Sequence, residues 1–190
     1  MKLRRSPERY GEASAAPVTD SDGPPRGRLV TLDEVASAAN FLYDPGISVL
    51  QPALLAAEAG LVTAMHDPTE GGLATGLWEL ALASDKGLIV HLDRVPVYPE
   101  TQAFCQSLGL DPLGLIASGA LLAAVSPADT AGMLQALSAA GIPATVIGQV
   151  VDGPAAVHTL GPGGRGSLRV FDQDELARWY ALDRAATQGD

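Results

Sequence analysis

The sequence predicts an α+β domain in which a mixed β-sheet is layered with helices in an α/β/α arrangement. Short apolar runs typical of strands first alternate with segments whose apolar residues recur at helical spacing. Two or three strand candidates then follow one another near the C-terminus, which favours a mixed sheet over a regular doubly wound fold. The chain has 190 residues, of which 47% are hydrophobic, so it can form one domain core with some appended sequence.

The predicted domain begins with two helices, which are followed by a short strand. Thr31 is a suitable N-cap for a first helix, which ends before the turn Asp44-Pro45-Gly46. Pro52 fits the first turn of a second helix, and Gly60 fits its C-terminus. The apolar run Gly60–Met65 then predicts the first strand.

A helix with a stripe of leucines on one face follows, and then further strands and helices. Leu73, Leu77 and Leu80 recur at the spacing of a core-facing helix, which ends near residues 85–87. Ala120–Val125 is apolar on both faces, which predicts a central strand of a covered sheet. The remaining predictions are a strand at 88–92, a helix at 100–108, a short helix at 112–117, a helix at 127–140, a strand at 144–151 with a hairpin partner at 155–160, a flexible glycine-rich connection at 161–166, a strand at 168–171 and a helix at 172–180.

Composition divides the chain into three parts. Residues 1–28 are rich in Pro, Gly, Ser, Ala and charged residues and have no helical or strand periodicity, which predicts a disordered leader. Residues 29–182 form the predicted domain, and residues 183–190 are expected to be a flexible tail.

Charge and cysteine content exclude several classes of protein. The formal net charge is −10; residues 1–28 hold six basic and four acidic residues, so the main body is strongly acidic. An acidic body disfavours binding to nucleic acid or to an anionic membrane surface. The single cysteine, Cys105, permits neither an internal disulfide nor a cysteine metal cluster. With no signal sequence and no apolar run of membrane-spanning length, we expect a cytoplasmic protein.

The segment Met65–Leu73, with the sequence MHDPTEGGL, carries the strongest functional signal. It lies where a predicted strand gives way to a helix, and helix N-termini favour anions because their first amides lack partners. Asp67, Thr69, Gly71 and Gly72 are therefore candidates for binding phosphate. Two alternatives stay open: Asp67 and Thr69 could cap the helix, and the glycines could serve close packing.

Three further residues are candidates for the same site. His66 could be a ligand or proton donor at the end of the strand, or a hydrogen-bonded structural histidine. Glu70 could face a ligand, or only interact with the helix dipole. Asp44 could lie beside the cleft, although the sequence Asp44-Pro45-Gly46 is most simply a turn.

Four motifs in order resemble the C-terminal domain of the aminoimidazole ribonucleotide (AIR) synthase-related, or PurM-like, superfamily. The superfamily includes AIR synthase, selenophosphate synthetase, thiamine-monophosphate kinase and a hydrogenase-maturation protein that dehydrates a carbamoyl group. The resemblance covers about residues 29–180. Its motifs are Asp44–Val49, Met65–Leu73, Leu108–Leu113 and Ala117–Leu122.

The resemblance implies the second half of a two-domain enzyme that uses ATP and Mg²⁺ to activate a substrate by phosphorylation or to transfer the phosphoryl group. In such enzymes the N-terminal domain carries the nucleotide and forms the dimer, and the C-terminal domain closes the cleft. By motif position, Asp67, Thr69, Gly71 and Gly72 would line that cleft, and Asp67 would contact Mg²⁺ arriving with the nucleotide. The ATP-binding domain itself is not among these 190 residues.

Two functions follow as hypotheses. The first is a truncated or split AIR synthase-like protein, inactive unless a partner protein supplies the ATP-binding domain. Its expected partners are a separate protein with that domain or, in a homodimer, a second copy of the chain. The second is a non-catalytic module that keeps the fold and binds a phosphorylated small molecule, a nucleotide or a partner protein. Carbamoyl chemistry is not expected, because the hydrogenase-maturation relatives commonly have Arg at the position of Glu70 and a terminal Cys, whereas this sequence ends in Thr187–Asp190.

Overall fold

The computed structural model describes residues 29–187, the last three of them by backbone only. The predicted leader, 1–28, and the end of the predicted tail, 188–190, lie outside the described residues. None of the described helices is long and apolar enough to cross a membrane.

The helices are α1 Leu32–Asn40, α2 Leu50–Glu58, α3 Gly72–Ser84, α4 Pro99–Leu108, α5 Thr130–Ala139 and α6 Glu175–Thr187, with a π-helical turn at Leu42–Gly46 and a 3-10 turn at Leu92–Arg94. The strands are β1 Val62–His66, β2 Gly87–His91, β3 Leu122–Val125, β4 Gly148–Val151, β5 Ala156–Gly161 and β6 Gly164–Ser167.

Strand β2 is at the centre of the larger sheet. It pairs antiparallel with β4 and parallel with β5, and β6 pairs antiparallel with β5, which gives the order β4-β2-β5-β6. The mixture of helices with strands of both orientations confirms the predicted α+β class. The predicted hairpin of β4 and β5 is wrong, because the apolar β2 lies between them and pairs with both.

Strands β1 and β3 form a separate antiparallel pair, in which Met65 lies opposite Ala123 and His66 opposite Leu122. The prediction that Ala120–Val125 is a central strand is wrong: β3 begins at Leu122, and within the described chain it pairs with β1 alone. Its apolar character comes from burial against side chains of the cores rather than from strands on both sides.

Two clusters of buried side chains hold these elements together. The larger lies between α3 and the β2–β5 strands and includes Leu73, Leu77 and Val157. The smaller packs α2 against α5 through Ala56 and Met133. The helical stripe predicted for α3 is confirmed, because Leu73, Leu77 and Leu80 face the larger cluster.

Two predicted elements near the middle and end of the domain are absent. Residues 112–117 form turns instead of a short helix, because the Leu113 and Gly114 carbonyls accept from the distant Ala74 (2.9 Å) and Glu175 (3.1 Å) amides and not from amides one helical turn further on. Residues 161–166 are not a flexible connection: Gly161 pairs with Gly164 at the tip of the β5–β6 hairpin. The strand therefore ends at Ser167, and the predicted strand at 168–171 is wrong.

Helix α6 starts three residues later than predicted and continues to Thr187, across part of the expected tail. The buried Glu175 carboxylate joins it to the loop after α4. Glu175 is 2% exposed and accepts from the Asp111 amide (2.9 Å) and from Arg178 Nε (2.8 Å) and Nη2 (2.7 Å). Arg178 Nη2 also donates to the Gly109 carbonyl at 2.8 Å. Burial alone would raise the pKa of Glu175, but the hydrogen bonds from Arg178 and the Asp111 amide outweigh it and hold the pKa below its usual value.

Replacing Glu175 with Gln should lower the free energy of unfolding by about 1–3 kcal/mol near neutral pH, because Arg178 loses its charged partner. The pKa of Glu175 is lower in the folded protein than in the unfolded chain, where it is about 4.3. The ionised carboxylate therefore stabilises the fold fully at pH values above the unfolded pKa, and this stabilisation is lost as pH falls through the folded-state pKa. The difference between wild type and Glu175→Gln in urea unfolding should therefore shrink as pH falls from 6 to 3. Burial, and to a lesser extent the charge of Glu175, raise the pKa of Asp111, which shifts stability in the opposite sense. The part due to burial cancels in the difference between the two proteins, and the part due to Glu175 belongs to the measured effect.

The exposed Glu58 provides a matched control. Glu58→Gln should change the free energy of unfolding by less than about 0.5 kcal/mol at every pH. Equal effects of the two substitutions would contradict the assigned role of Glu175.

Candidate functional site

The segment Met65–Leu73 is the strand-to-helix turn that the sequence predicts. Strand β1 ends at His66, and α3 begins at Gly72. The N-cap of α3 is Gly71 in the left-handed region, with no side-chain cap. Thr69 Oγ1 instead donates to the Asp67 carbonyl at 3.3 Å. The alternative that Asp67 or Thr69 caps α3 is therefore wrong.

The amides at the start of α3 bind groups of the chain itself. The Gly71 amide donates to Asp174 Oδ2 at 2.9 Å, the Gly72 amide to the Thr69 carbonyl at 3.2 Å, and the Ala74 amide to the Leu113 carbonyl at 2.9 Å. An anion thus does sit at this helix N-terminus, but it is the carboxylate of Asp174.

Asp174 is a residue that the sequence did not single out. Its other oxygen, Oδ1, accepts from the Leu176 amide at 2.8 Å, so it caps α6 while it binds the turn before α3. The sequence does signal the cap, because Asp174 is an acidic residue just before a helix. The sequence does not signal the bond between Asp174 and the Gly71 amide, which lies 103 residues away in the chain.

Backbone conformation and packing explain both glycines of the turn. Gly71 and Gly72 have φ values of +71° and +64°, which side-chain-bearing residues rarely adopt. A Cβ on Gly72 would lie 2.4 Å from the Leu115 carbonyl oxygen and 2.6 Å from that of Leu113. A Cβ on Gly71 would meet the side chain of Thr75. The absence of side chains here lets the turn approach the 113–115 loop, which is the packing alternative left open by the sequence.

The turn presents three polar side chains to solvent: Asp67, Thr69 and Glu70. Within residues 29–184 neither of the two carboxylates makes a hydrogen bond or ion pair. Carboxylate and hydroxyl oxygens are suitable ligands for Mg²⁺, which usually takes only one or two protein carboxylates beside phosphates and water. No group of three or more His, Cys, Asp and Glu side chains forms a metal cluster in the described part. The oxygen atoms of Asp67, Thr69 and Glu70 are thus of the kind that Mg²⁺ binds beside phosphates and water.

His66 and Asp44 lie differently. His66 Nε2 is 2.6 Å from Glu79 Oε2 on α3, so this histidine is hydrogen-bonded within the domain. Asp44 is exposed in the π-helical turn, which the Gly46 amide closes by donating to the Phe41 carbonyl at 3.2 Å. No hydrogen bond or ion pair described for residues 29–184 joins Asp44 to the Met65–Leu73 turn.

Comparison with known families agrees with this arrangement. Residues 30–161 match the family described as AIR synthase related protein, C-terminal domain. The chain belongs to this family.

Its relatives include proteins of hydrogenase maturation. The carbamoyl dehydratase HypE of Cupriavidus necator is 36% identical over 121 residues, which are 63% of this chain and 33% of that protein. The carbamoyl dehydratase HypE of Rhizobium leguminosarum is 39% identical over 100 residues, or 52% of this chain and 29% of that protein. The chain thus spans about a third of the length of these relatives.

Solved structures give the same fold. The crystal structure of Escherichia coli HypE superposes with a TM-score of 0.61 and 26% identity, covering 77% of this chain and 49% of that one. HypE in complex with ATP superposes with a TM-score of 0.56 and 30% identity, covering 63% and 39%. The family resemblance read from the four motifs is confirmed.

Gly72→Ala should destabilise the domain by about 2–4 kcal/mol, because the new Cβ meets two backbone carbonyls at a positive φ. Gly132→Ala in α5 is the matched control: its Cβ has no neighbour closer than 3.8 Å, so it should leave stability unchanged or add up to about 1 kcal/mol. Urea unfolding of the two variants measures both effects. A tolerated Gly72→Ala would show that the glycine is not there for packing.

Proposed function

We propose that this chain is the C-terminal half of an AIR synthase-related, ATP-dependent enzyme and acts with a separately supplied ATP-binding domain. The enzyme would activate a small substrate by phosphorylation, or transfer the phosphoryl group. The observation that carries the proposal is the exposed side chains of Asp67, Thr69 and Glu70 on a domain that spans about a third of its HypE relatives, a HypE being also known in complex with ATP.

In this proposal the residues of the turn divide into two groups. Asp67 faces the ligand with its carboxylate, and Thr69 with the lone pairs of the hydroxyl that donates to the Asp67 carbonyl. Asp67 contacts a Mg²⁺ ion that enters with the nucleotide. Gly71 and Gly72 do not bind the ligand but fix the position of those side chains against the 113–115 loop. His66, held by Glu79, supports the end of β1, and Glu70 flanks the site. When bound, Mg²⁺ supplies charge neutralisation for the phosphates.

Internal hydrogen bonding determines how phosphate could be held. Because the Gly71, Gly72 and Ala74 amides already donate within the chain, α3 offers no amide cradle at those positions. The acidic body also repels phosphate. The metal on Asp67 and basic groups of the partner domain must therefore supply the attraction.

The internal satisfaction of these amides also favours a second function, a non-catalytic module that keeps the fold for binding. Such a module would bind a partner protein or a phosphorylated small molecule without turnover. The two functions differ in whether an added ATP-binding domain produces ATP hydrolysis.

The purified 190-residue chain should hydrolyse no ATP alone, and addition of the part of Cupriavidus necator HypE that lies outside the matched region should produce Mg²⁺-dependent hydrolysis. Asp67→Ala should reduce that rate at least about tenfold through loss of one metal ligand. Asp93→Ala, an exposed acidic residue outside the turn, should leave the rate within about twofold. ATP hydrolysis by the chain alone, or an unaffected Asp67→Ala mixture, would contradict the proposal.

Thermal shifts test the binding-module alternative. If the chain is only a binding module, a nucleotide or phosphosugar with Mg²⁺ should raise Tm of the chain alone by a few degrees, and the rise should be lost in Asp67→Ala. Asp67→Ala suits this purpose better than a substitution of Gly72, because any side chain at Gly72 disturbs the fold itself. An unchanged Tm with every ligand would exclude a small-molecule binding module and leave partner-protein binding.

A further inference from the structure

We infer that Glu79 and Gly76 on α3 are positioning residues, which hold the exposed side chains of Asp67 and Thr69 on one side of the turn. They act through the two residues of the turn that face α3. The contacts involved lie within the described domain. The purpose of this arrangement, to present oxygen atoms to a metal–nucleotide complex, rests on the proposed function.

The alternation of side chains in β1 continues beyond the end of the strand. From Val62 to His66 the side chains are alternately partly buried and exposed. Asp67 is again exposed, Pro68 is fully buried, and Thr69 is exposed. Burial with a period of two is the pattern of an extended chain, in which residues i and i+2 lie on the same side. His66 and Pro68 therefore face the domain. Asp67 and Thr69 share the opposite, exposed side.

Gly76 provides the surface on which the inner side of this segment packs. It is buried in α3, and its φ is not positive. A Cβ at this position would lie 2.7 Å from Pro68 Cβ, 3.3 Å from His66 Cδ2 and 3.4 Å from Leu122 Cδ1. Glycine weakens a helix interior relative to alanine, so close approach of the turn is the physical reason for it here. The bare backbone of α3 thus seats both inward-facing residues of the turn.

Glu79, which lies one helical turn after Gly76, holds the first of these inward-facing residues. His66 Nε2 is 2.6 Å from Glu79 Oε2. An ionised carboxylate can only accept, so Nε2 carries the proton of this hydrogen bond. The side chains of the pair are 30% and 57% exposed, respectively. Because an exposed pair adds little to global stability, its loss should appear mainly as mobility of the adjoining turn.

Backbone hydrogen bonds fix the other end of the segment. The Thr69 carbonyl accepts from the Gly72 amide at 3.2 Å and from the Ala117 amide at 3.1 Å. Asp67 lies between these bonds and the histidine contact. Its carboxylate makes no hydrogen bond or ion pair within residues 29–184. The neighbours of Asp67 in the chain therefore determine the direction in which its carboxylate points.

Nuclear magnetic relaxation of the backbone amides, on the whole chain without ligand, tests the role of Glu79. Glu79→Ala should lower the order parameters of the Asp67 and Thr69 amides by at least about 0.1, where rigid backbone has about 0.85 and flexible backbone less than about 0.6. Glu79→Gln keeps a side-chain oxygen that accepts from His66 and should stay close to wild type. Glu58→Ala, which removes an exposed glutamate of α2, is the charge-matched control and should leave the order parameters unchanged. Tm should stay within about 3 °C in all three variants.

Gly76→Ala tests the second contact without removing a charge. Alanine favours the helix, but the new Cβ displaces Pro68, so the amide resonances of Asp67 and Thr69 should shift. Gly132→Ala in α5 is the matched control, because its Cβ has no neighbour closer than 3.8 Å. The control should leave those two resonances in place. Circular dichroism shows whether both variants fold.

A double-mutant cycle separates positioning from a merely structural role. The assay is ATP hydrolysis in the mixture with the part of Cupriavidus necator HypE that lies outside the matched region. Glu79→Ala should lower the rate about tenfold through misplacement of the metal ligand. In the Asp67→Ala background the same substitution should change the rate by less than about twofold, because Glu79 acts through Asp67. A structural role would lower the rate by a similar factor in both backgrounds.

Four results would overturn the inference: unchanged order parameters in Glu79→Ala, equal mobility in Glu58→Ala, unshifted resonances in a folded Gly76→Ala, or a full tenfold loss in the Asp67→Ala background. If Gly76→Ala does not fold, the substitutions of Glu79 still decide. The outcome is separable from that of the proposed function. Loss of order in Glu79→Ala without hydrolysis by the wild-type mixture would retain the positioning contacts and reject the enzyme. Hydrolysis with unchanged order would do the reverse.

Discussion

The buried carboxylate of Glu175 is the interaction on which the candidate site depends. It holds the start of α6 to the Asp111 amide, and the Arg178 it pairs with reaches the Gly109 carbonyl. These bonds fix the loop that follows α4. The carbonyls of that loop in turn accept from the Ala74 amide and leave space only for glycine at position 72.

Asp174, the residue before Glu175, completes the connection. Its carboxylate binds the Gly71 amide, so the beginning of α6 determines the shape of a turn that lies 103 residues earlier. The affinity of a helix N-terminus for anions is thereby used for folding: the favourable position for an anion is filled by an aspartate of the chain. What remains available to a ligand is the row of side-chain oxygens on Asp67, Thr69 and Glu70.

Local patterns in the sequence were sufficient for most elements and for the family. The leucine stripe of α3, the cap at Thr31 and the strand-to-helix turn all depend on neighbours a few residues apart.

The sequence predictions are wrong where residues far apart in the chain decide the structure. An apolar segment such as β3 has the same composition whether strands or side chains cover it, and the pairing of β4 and β5 with β2 is not encoded in the short turn between them. Likewise, two glycines beside a carboxylate suggest a phosphate site, and only the 113–115 loop reveals their packing role.

In the proposed function, the side chains of the turn, rather than its amides, face a metal–nucleotide complex brought by another domain. Nuclear magnetic resonance with Mn²⁺ in place of Mg²⁺ tests it most directly, using a non-hydrolysable ATP analogue and the N-terminal part of Cupriavidus necator HypE. We expect selective line broadening at Asp67–Glu70, with the Gly71 amide still bonded to Asp174. Broadening centred elsewhere, or none with both partners present, would contradict it.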